Sequence, residues 1–160
     1  MAEINTEGLE ALSYAFLRLE EGATAAVEEM LQAEADIYKE QLQQAAAGYG
    51  IKKTGGFINS IKIGETQQED TAVYKIIAPE GRADHTADYG GGYSNKANKR
   101  KGKSSAGNVR YAAIGFIFEY GTSTLQARPW WTQGNEKAEE PAQNKAMEIY
   151  DKYVEDSFRD

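Results

Sequence analysis

Phe-Ile-Phe-Glu-Tyr-Gly-Thr at residues 116–122, with Ala-Arg-Pro-Trp-Trp following at residues 127–131, decides the fold expected of this chain. The apolar run from Val109 to Tyr120 is nearly continuous, which is typical of a central strand covered on both faces. Gly121 then indicates a turn, and Pro129 is favoured at the start of a helix. The region therefore predicts a buried strand, a short polar loop and a helix, without a catalytic pattern.

The N-terminal side is predicted to be helical over residues 7–47, where apolar residues recur every three to four positions. Gly22 falls between two sets of these residues and predicts a break between a short helix and a long one. Gly48 and Gly50 predict the end of the long helix, because glycine readily adopts the left-handed conformation of a helix C-terminus. The apolar positions are Leu9, Leu12, Phe16 and Leu19 in the first set, and Ala23, Val27, Met30, Ile37, Leu42 and Ala45 in the second.

Two further strands are predicted, at residues 57–63 and 72–78, after a turn at Thr54-Gly55-Gly56. The polar residues 67–70 predict the connection between them. A last helix is predicted from about residue 129 to residue 158, with a kink or an interruption at Pro141, because proline lacks an amide hydrogen and clashes with the preceding turn. Its apolar stripe consists of Ala146, Tyr150, Tyr153 and Phe158, with Met147 and Val154 beside it.

Residues 79–108 form a long Gly-rich, basic segment between predicted strands. Loops of this length inside a compact domain are generally functional or disordered, so we expect a mobile excursion that is ordered only by a partner. Two kinds of partner are possible for this segment. The bases could contact nucleic-acid phosphates while Tyr89 and Tyr93 stack on bases, or they could touch an acidic neighbouring protein. The second is favoured because the whole chain is acidic, with a net charge of −7. The bases concerned are Lys96, Lys99, Arg100, Lys101 and Lys103.

Four candidate sites are each interpreted as structural or solvated. Residues 97–104 fit a relaxed phosphate-binding loop, but the segment that follows reads as a strand and offers no helix N-terminus to a phosphate. Asp84, His85 and Asp88 are more typical of solvated loop charges than of metal ligands. Glu119 is expected to make a structural hydrogen bond or an ion pair with Arg128 rather than to transfer protons. Trp130 and Trp131 are expected in the core or at an interface rather than as a ligand platform.

The composition further limits the classes of function that the chain can have. The chain of 160 residues has no cysteine and one histidine, which excludes thiolate chemistry and leaves little material for a zinc site or a triad. We therefore predict no enzyme activity, no cofactor and no metal. The acidic N-terminus and the lack of an apolar run of ~20 residues predict a soluble protein made in a cytoplasm.

Charge is distributed unevenly along the chain. Residues 1–50 hold ten acidic and two basic residues, residues 51–128 hold seven and twelve, and residues 129–160 hold eight and four. One interpretation is a solvated acidic surface on the helices. The other is that opposite fields on two faces help copies of the chain to dock on each other.

The order of these features resembles that of the tail-completion, or head–tail joining, proteins of tailed phages with long non-contractile tails, also called minor tail components. The resemblance extends from about residue 8 to residue 155. This chain departs from the family pattern in its longer basic loop, in Gly56-Phe57 and in Pro141. The matching residues are Thr54, Gly55, Ser60, Ile61, Glu119, Tyr120, Gly121, Thr122, Ala127, Arg128, Pro129 and Trp130.

The resemblance implies one α+β domain over residues 1–160, in which a long N-terminal helix and a C-terminal helix pack on a small antiparallel sheet with the mobile loop 79–108 between strands. It also implies a ring of six copies in the virion neck, made in the host cytoplasm. The ring would lie between the head connector or adaptor and the tail tube or tail terminator, with DNA passing nearby but not specifically recognised, and without membrane contact. The expected partner contacts are Tyr93, Lys96, Lys99, Arg100, Lys101, Lys103, Arg128 and Trp130.

Overall fold

A computed structural model describes residues 7–51, 55–70, 72–83 and 109–159, with side chains from residue 12 onward. The predicted α+β class is confirmed, because two long helices accompany small antiparallel strand pairs. Of the helices described, none combines the length and the apolar composition that crossing a membrane requires. The elements are α1 (Glu7–Gly48), α2 (Gly56–Ser60), β1 (Ile61–Ile63), β2 (Gln67–Glu69), β3 (Ala72–Tyr74), β4 (Ile77–Pro79), β5 (Arg82–Ala83), β6 (Val109–Arg110), α3 (Tyr111–Tyr120) and α4 (Trp130–Phe158).

Helices α1 and α4 are separated in the sequence by the other elements but pack side by side in antiparallel directions. We call this helix pair the hairpin. At 1.5 Å per residue they are ~63 Å and ~44 Å long. Their antiparallel direction follows from two contacts, since Phe16 meets Phe158 at one end and Leu42 meets Gly134 at the other. The seam between them is lined by small buried residues, which are Ala15, Ala26 and Ala35 on α1 and Gly134, Ala138, Ala142 and Ala146 on α4.

The predicted break at Gly22 is wrong, because α1 is continuous through this residue. Gly22 instead lies against the ring of Tyr153, where an added Cβ would come within 2.7 Å of Cε2. The Tyr153 hydroxyl donates a hydrogen bond to the carbonyl of Leu19. Glycine at this position therefore leaves room for the Tyr153 ring in the helix packing and does not mark a turn.

The predicted end of α1 is confirmed. Gly50 has φ of 74°, and the amides of Gly50 and Ile51 donate to the carbonyls of Ala47 and Ala46, each at 3.0 Å. This pair of bonds around a left-handed glycine satisfies the last carbonyls of the helix.

Helix α4 continues through Pro141, so the predicted interruption is absent, and the predicted kink stays a prediction. Pro141 is exposed, whereas its neighbours Ala138 and Ala142 are buried in the seam. Packing of the opposite side of the helix against α1 stabilises the helix on both sides of the proline despite the missing amide hydrogen.

The predicted central strand over residues 109–120 is wrong, since all but its first two residues form α3. Ile114, Gly115 and Glu119 are buried, and Tyr111 and Phe118 pack against the core, which is the spacing of one helix face. Both a buried strand and a helix fit a short apolar run, and the sequence alone does not separate them.

The remaining strands differ from the prediction in their bounds. The first part of the predicted strand 57–63 is the helix α2. Only its last three residues form a strand, β1, which pairs with β4 so that Ile61 is opposite Pro79. The predicted connection 67–70 contains β2, which pairs with β3, so the second predicted strand is divided between β3 and β4. A third pair joins β5 to β6, with Arg82 opposite Arg110. All three pairs are antiparallel.

Elements α2, α3, β1, β4, β5 and β6 form a head at one end of the hairpin, and among the described residues they share one apolar core with α1 and α4. The core lies where the C-terminal part of α1 meets the start of α4, so the long helices and the head share it. Its buried members are Leu42, Ala45, Ala46, Ile51, Phe57, Ile61, Ala83, Ile114 and Trp130.

We predict that Gly134→Ala destabilises the protein by about 1–2 kcal/mol, although alanine is the better helix former by ~1 kcal/mol. The added Cβ would lie 2.9 Å from Cα of Leu42, so backbone must move. Urea unfolding followed by circular dichroism measures the change. Gly48→Ala is the matched control, because nothing lies within 4 Å of its Cβ position, and it should be neutral or stabilising. Equal stability of both variants would contradict the close approach.

Candidate functional site

The carboxylate of Glu119 caps the N-terminus of α4. It accepts hydrogen bonds from the amides of Trp131 and Thr132, at 2.7 and 3.2 Å, and from the Thr132 hydroxyl at 2.6 Å. These amides have no partner within the helix, and a negative charge is favourable at this end of the helix dipole. The predicted structural hydrogen bond of Glu119 is confirmed, but its partner is the helix terminus and not Arg128.

Gly121 permits the tight turn that follows. Its φ is 73°, and an added Cβ would lie 2.6 Å from the Leu125 carbonyl oxygen and 2.7 Å from the Ala127 amide nitrogen. The Thr122 hydroxyl accepts hydrogen bonds from the amides of Thr124 and Leu125, at 3.3 and 3.0 Å. The loop between α3 and α4 is therefore held by its own backbone and does not accept a larger residue at position 121.

Arg128 connects this loop to the other helices. Its amide donates to the carbonyl of Phe118 at 2.6 Å, and its guanidinium carbon lies 5.5 Å from the centre of the Phe118 ring. The guanidinium also reaches the carbonyl of Tyr49 at 3.4 Å, just beyond the end of α1. Arg128 is half-buried, and its predicted contact with a partner stays a prediction.

The prediction that Trp130 contacts a partner is wrong in this conformation, because the side chain is only 2% exposed. Its ring packs edge-on against Phe57, with 5.1 Å between centroids, and its indole nitrogen donates to the Gly115 carbonyl at 3.0 Å. The alternative expectation, that it packs in the core, is confirmed. Trp131 is more accessible, at 37%.

Three residues of the Thr-Gly motif also contribute to this core region. Gly55 has φ of 74° and precedes α2, while the Ser60 hydroxyl donates to the Phe57 carbonyl at 2.6 Å. Ile61 is fully buried. Ile61 and Trp130 share the core, and we call the described motif residues together the structural corner, which we define as Gly55, Ser60, Ile61 and residues 119–130. Thr54 lies outside the described residues.

The other predicted partner contacts also lie outside the described residues, so their roles stay predictions. They are Tyr93, Lys96, Lys99, Arg100, Lys101 and Lys103. The same is true of Asp84, His85, Asp88 and the segment 97–104. Within the part of the chain that the structure describes, no three acidic or histidine side chains are grouped to hold a metal ion.

Two exposed apolar surfaces were not predicted from the sequence. On the head, the rings of Phe116 and Tyr120 pack at a tilt of 50° with 4.6 Å between centroids, and the two residues are 65% and 69% exposed. On the far half of the hairpin, a second surface includes residues of the apolar stripes that were read from the sequence. We call it the apolar face, and it consists of Leu12, Phe16, Val27, Met147, Tyr150 and Phe158, which are 40–56% exposed. Exposed apolar patches of this kind are typical of interaction sites.

Comparisons of the chain with protein families, with curated proteins and with solved structures found no match.

We predict that Glu119→Ala lowers the free energy of unfolding by about 2–3 kcal/mol, because it leaves the first amides of α4 without an acceptor. Glu119→Gln keeps one acceptor oxygen and should lose less, about 1 kcal/mol, from the missing charge. Chemical denaturation with tryptophan fluorescence measures both. Glu140→Ala, an exposed residue of the same helix, should change stability by under ~0.5 kcal/mol. A loss at Glu119 no larger than at Glu140 would argue against the cap.

Proposed function

We propose that this chain is a structural virion protein that joins the head connector to the tail tube of a long-tailed phage or prophage, acting by ring oligomerisation and docking. The observation that carries the proposal is the pair of exposed apolar surfaces, one on the head and one on the far half of the hairpin. A subunit of a joining ring needs separate surfaces for its neighbours in the ring and for the proteins above and below it.

The exposed side chains are costly for a chain that acts alone. Phe16, Phe116, Tyr120 and Met147 are each more than half exposed, and covering them would stabilise an assembly by removing apolar area from water. Because the two surfaces are on different parts of the molecule, one partner can be bound without blocking the other. This arrangement suits a subunit that connects different proteins.

The structural corner supports the same proposal. Glu119, Gly121 and Arg128 fix the angle between α3 and α4 with hydrogen bonds and a turn that accepts no larger residue. A protein that works through its shape needs such a fixed angle and needs no reacting groups. Phe116 and Tyr120, which lie on α3, are thereby held in a constant position relative to the hairpin.

In the proposed assembly, six copies form a ring between the connector or adaptor of the head and the tail tube or tail terminator. The protein would be made in the bacterial cytoplasm and incorporated into the virion neck. DNA would pass through the ring without specific contacts, since residues 1–50 and 129–160 carry an excess of acidic residues that repel phosphate.

Deletion of the gene from its phage, followed by electron microscopy of the lysate, tests this proposal. We expect full heads beside unattached tails, and joined particles again when the wild-type gene is supplied from a plasmid. A plasmid with a frameshift in the gene is the control. Intact, infectious particles from the deletion phage would exclude the joining role.

A further inference from the structure

We infer that the exposed side of α3 in one copy docks onto the apolar face of a second copy. This inference deepens the self-association that the proposed function requires, and it depends on that function only for closure of the contacts into a ring. The exposed side of α3, which we call the α3 patch, consists of Ala112, Ala113, Phe116 and Tyr120.

The α3 patch is a short apolar ridge on one side of a helix. Phe116 lies three or four positions from each of the other members, so the four residues are neighbours on the helix surface. They lie on the side away from Ile114, Gly115 and Glu119, which are buried. The apolar face, in contrast, is made by two neighbouring helices. A third helix laid against such a pair buries its apolar side as it would in a helical bundle.

The surroundings of the α3 patch are positive. Residues 109–131 contain two bases, Arg110 and Arg128, and a single acid, Glu119, whose carboxylate is buried as the cap of α4. Arg110 is exposed at the start of α3, and Arg82, also exposed, lies opposite it in the β5–β6 pair. Over residues 51–128 as a whole, twelve bases outnumber seven acids. An acidic surface is therefore the favourable partner for this part of the head.

Acidic residues border the apolar face on both of its helices. Each of them lies three or four positions from an apolar residue of the face, which makes the two residues neighbours on the helix surface. They are Glu20 beside Phe16, Asp151 beside Met147 and Glu155 beside Phe158, and all three acids are exposed. The bases Arg18 and Lys152 instead line a depression with Ala25 and Glu29, which do not belong to the apolar face.

Charge distinguishes this pairing from the two symmetric ones. Two apolar faces placed against each other would bring the acidic borders of both copies together, and two α3 patches would bring Arg110 towards its equivalent. Only the contact between unlike surfaces places bases opposite acids around an apolar centre. That arrangement, an apolar centre with a polar rim, is typical of protein interfaces.

The exposed apolar area fits a weak contact between two free copies. Interfaces at the low end of the size range bury ~600 Å² on each partner, and a little over half of that, ~340 Å², is apolar. A fully buried aromatic side chain covers ~150–250 Å², so Phe116 and Tyr120, about two-thirds exposed, leave on the order of 270 Å² to be covered. Ala112 and Ala113 add to this area. The six side chains of the apolar face offer more than the patch requires.

The two surfaces cannot meet within one chain. Ala23, which is exposed between Phe16 and Val27 on α1, lies 22 positions before Ala45 of the head core, a distance of ~33 Å along the helix. The contact therefore joins different copies, each of which uses its α3 patch towards one neighbour and its apolar face towards the other. A contact between two different surfaces of one chain is repeated by every copy, so it produces a closed ring or an open filament.

Thiol-specific cross-linking of the purified full-length chain tests this contact without interference, because the chain has no cysteine of its own. Ala113→Cys places a thiol on the α3 patch and Ala23→Cys places one on the apolar face, and both replace small exposed residues. With a short bismaleimide, we expect the double variant to give a ladder of dimers, trimers and larger products on a denaturing gel. A mixture of the two single variants should give dimers only, and each single variant alone should stay monomeric.

Variants of the double-cysteine chain make the result specific. Arg110→Glu should lower the cross-linked fraction about fivefold, because an acid then faces the acidic border. Lys137→Glu is the matched control, since it makes the same change of charge at an exposed position of α4 and should leave the fraction unchanged. Phe116→Asp should abolish the ladder while the helical circular dichroism is unchanged, because Phe116 is exposed and not part of the core.

Dimers from Ala23→Cys alone would mean that apolar faces pack on each other, and dimers from Ala113→Cys alone would mean that α3 patches do. Either result would overturn the inference. A double variant that stays monomeric at the highest protein concentration reached would overturn it as well, as would a loss with Lys137→Glu equal to that with Arg110→Glu.

The two proposals can fail separately. A ladder together with infectious particles from the deletion phage would refute the joining role only. Unjoined heads and tails without a ladder would refute only this docking geometry.

Discussion

The close approach of α1 and α4 at Leu42 and Gly134 is the constraint on which the rest of the structure depends. Gly134 has no side chain, so the backbone of α4 lies directly against Leu42. Alanines continue the seam along both helices, which keeps the hairpin narrow but covers little apolar area. Larger side chains are consequently displaced to its flanks, where they form the apolar face. The same approach places Trp130 in the head core, so the hairpin and the head are stabilised by one set of contacts.

The structural corner shows how a sequence motif can have a physical role without a reacting group. Glu119 supplies the acceptor that Pro129 cannot provide at the start of α4, since no side chain at position 129 caps the helix. Gly121 is required because carbonyl and amide atoms occupy the space of a side chain. Arg128 joins the loop to the end of α1. These three motif residues are thus explained by the packing of helices, and their contacts do not indicate what the protein binds.

The two long helices, the glycine-based end of α1 and the hydrogen-bonding role of Glu119 could be predicted from the sequence, because they depend on local spacing and on single residues. The α3 helix could not, since an apolar run such as residues 111–118 satisfies both helix and strand periods. Gly22 was misread for a related reason, as its partner Tyr153 is far away in sequence. The apolar face was missed because an apolar stripe normally indicates burial. In this structure the buried contact between α1 and α4 is made by small residues, and the large apolar residues beside it stay exposed.

The antiparallel hairpin also determines how the molecule bears load. Phe16 meets Phe158, and the Arg18 side chain donates to the carbonyl of Arg159, so both arms of the hairpin end side by side, far from the head. A force that pulls these two ends apart separates the helices one turn at a time. Only a few contacts resist that force at any moment. A force directed along the helix axes runs parallel to the seam and loads all of its contacts together. The chain is accordingly weak to peeling and strong to shear.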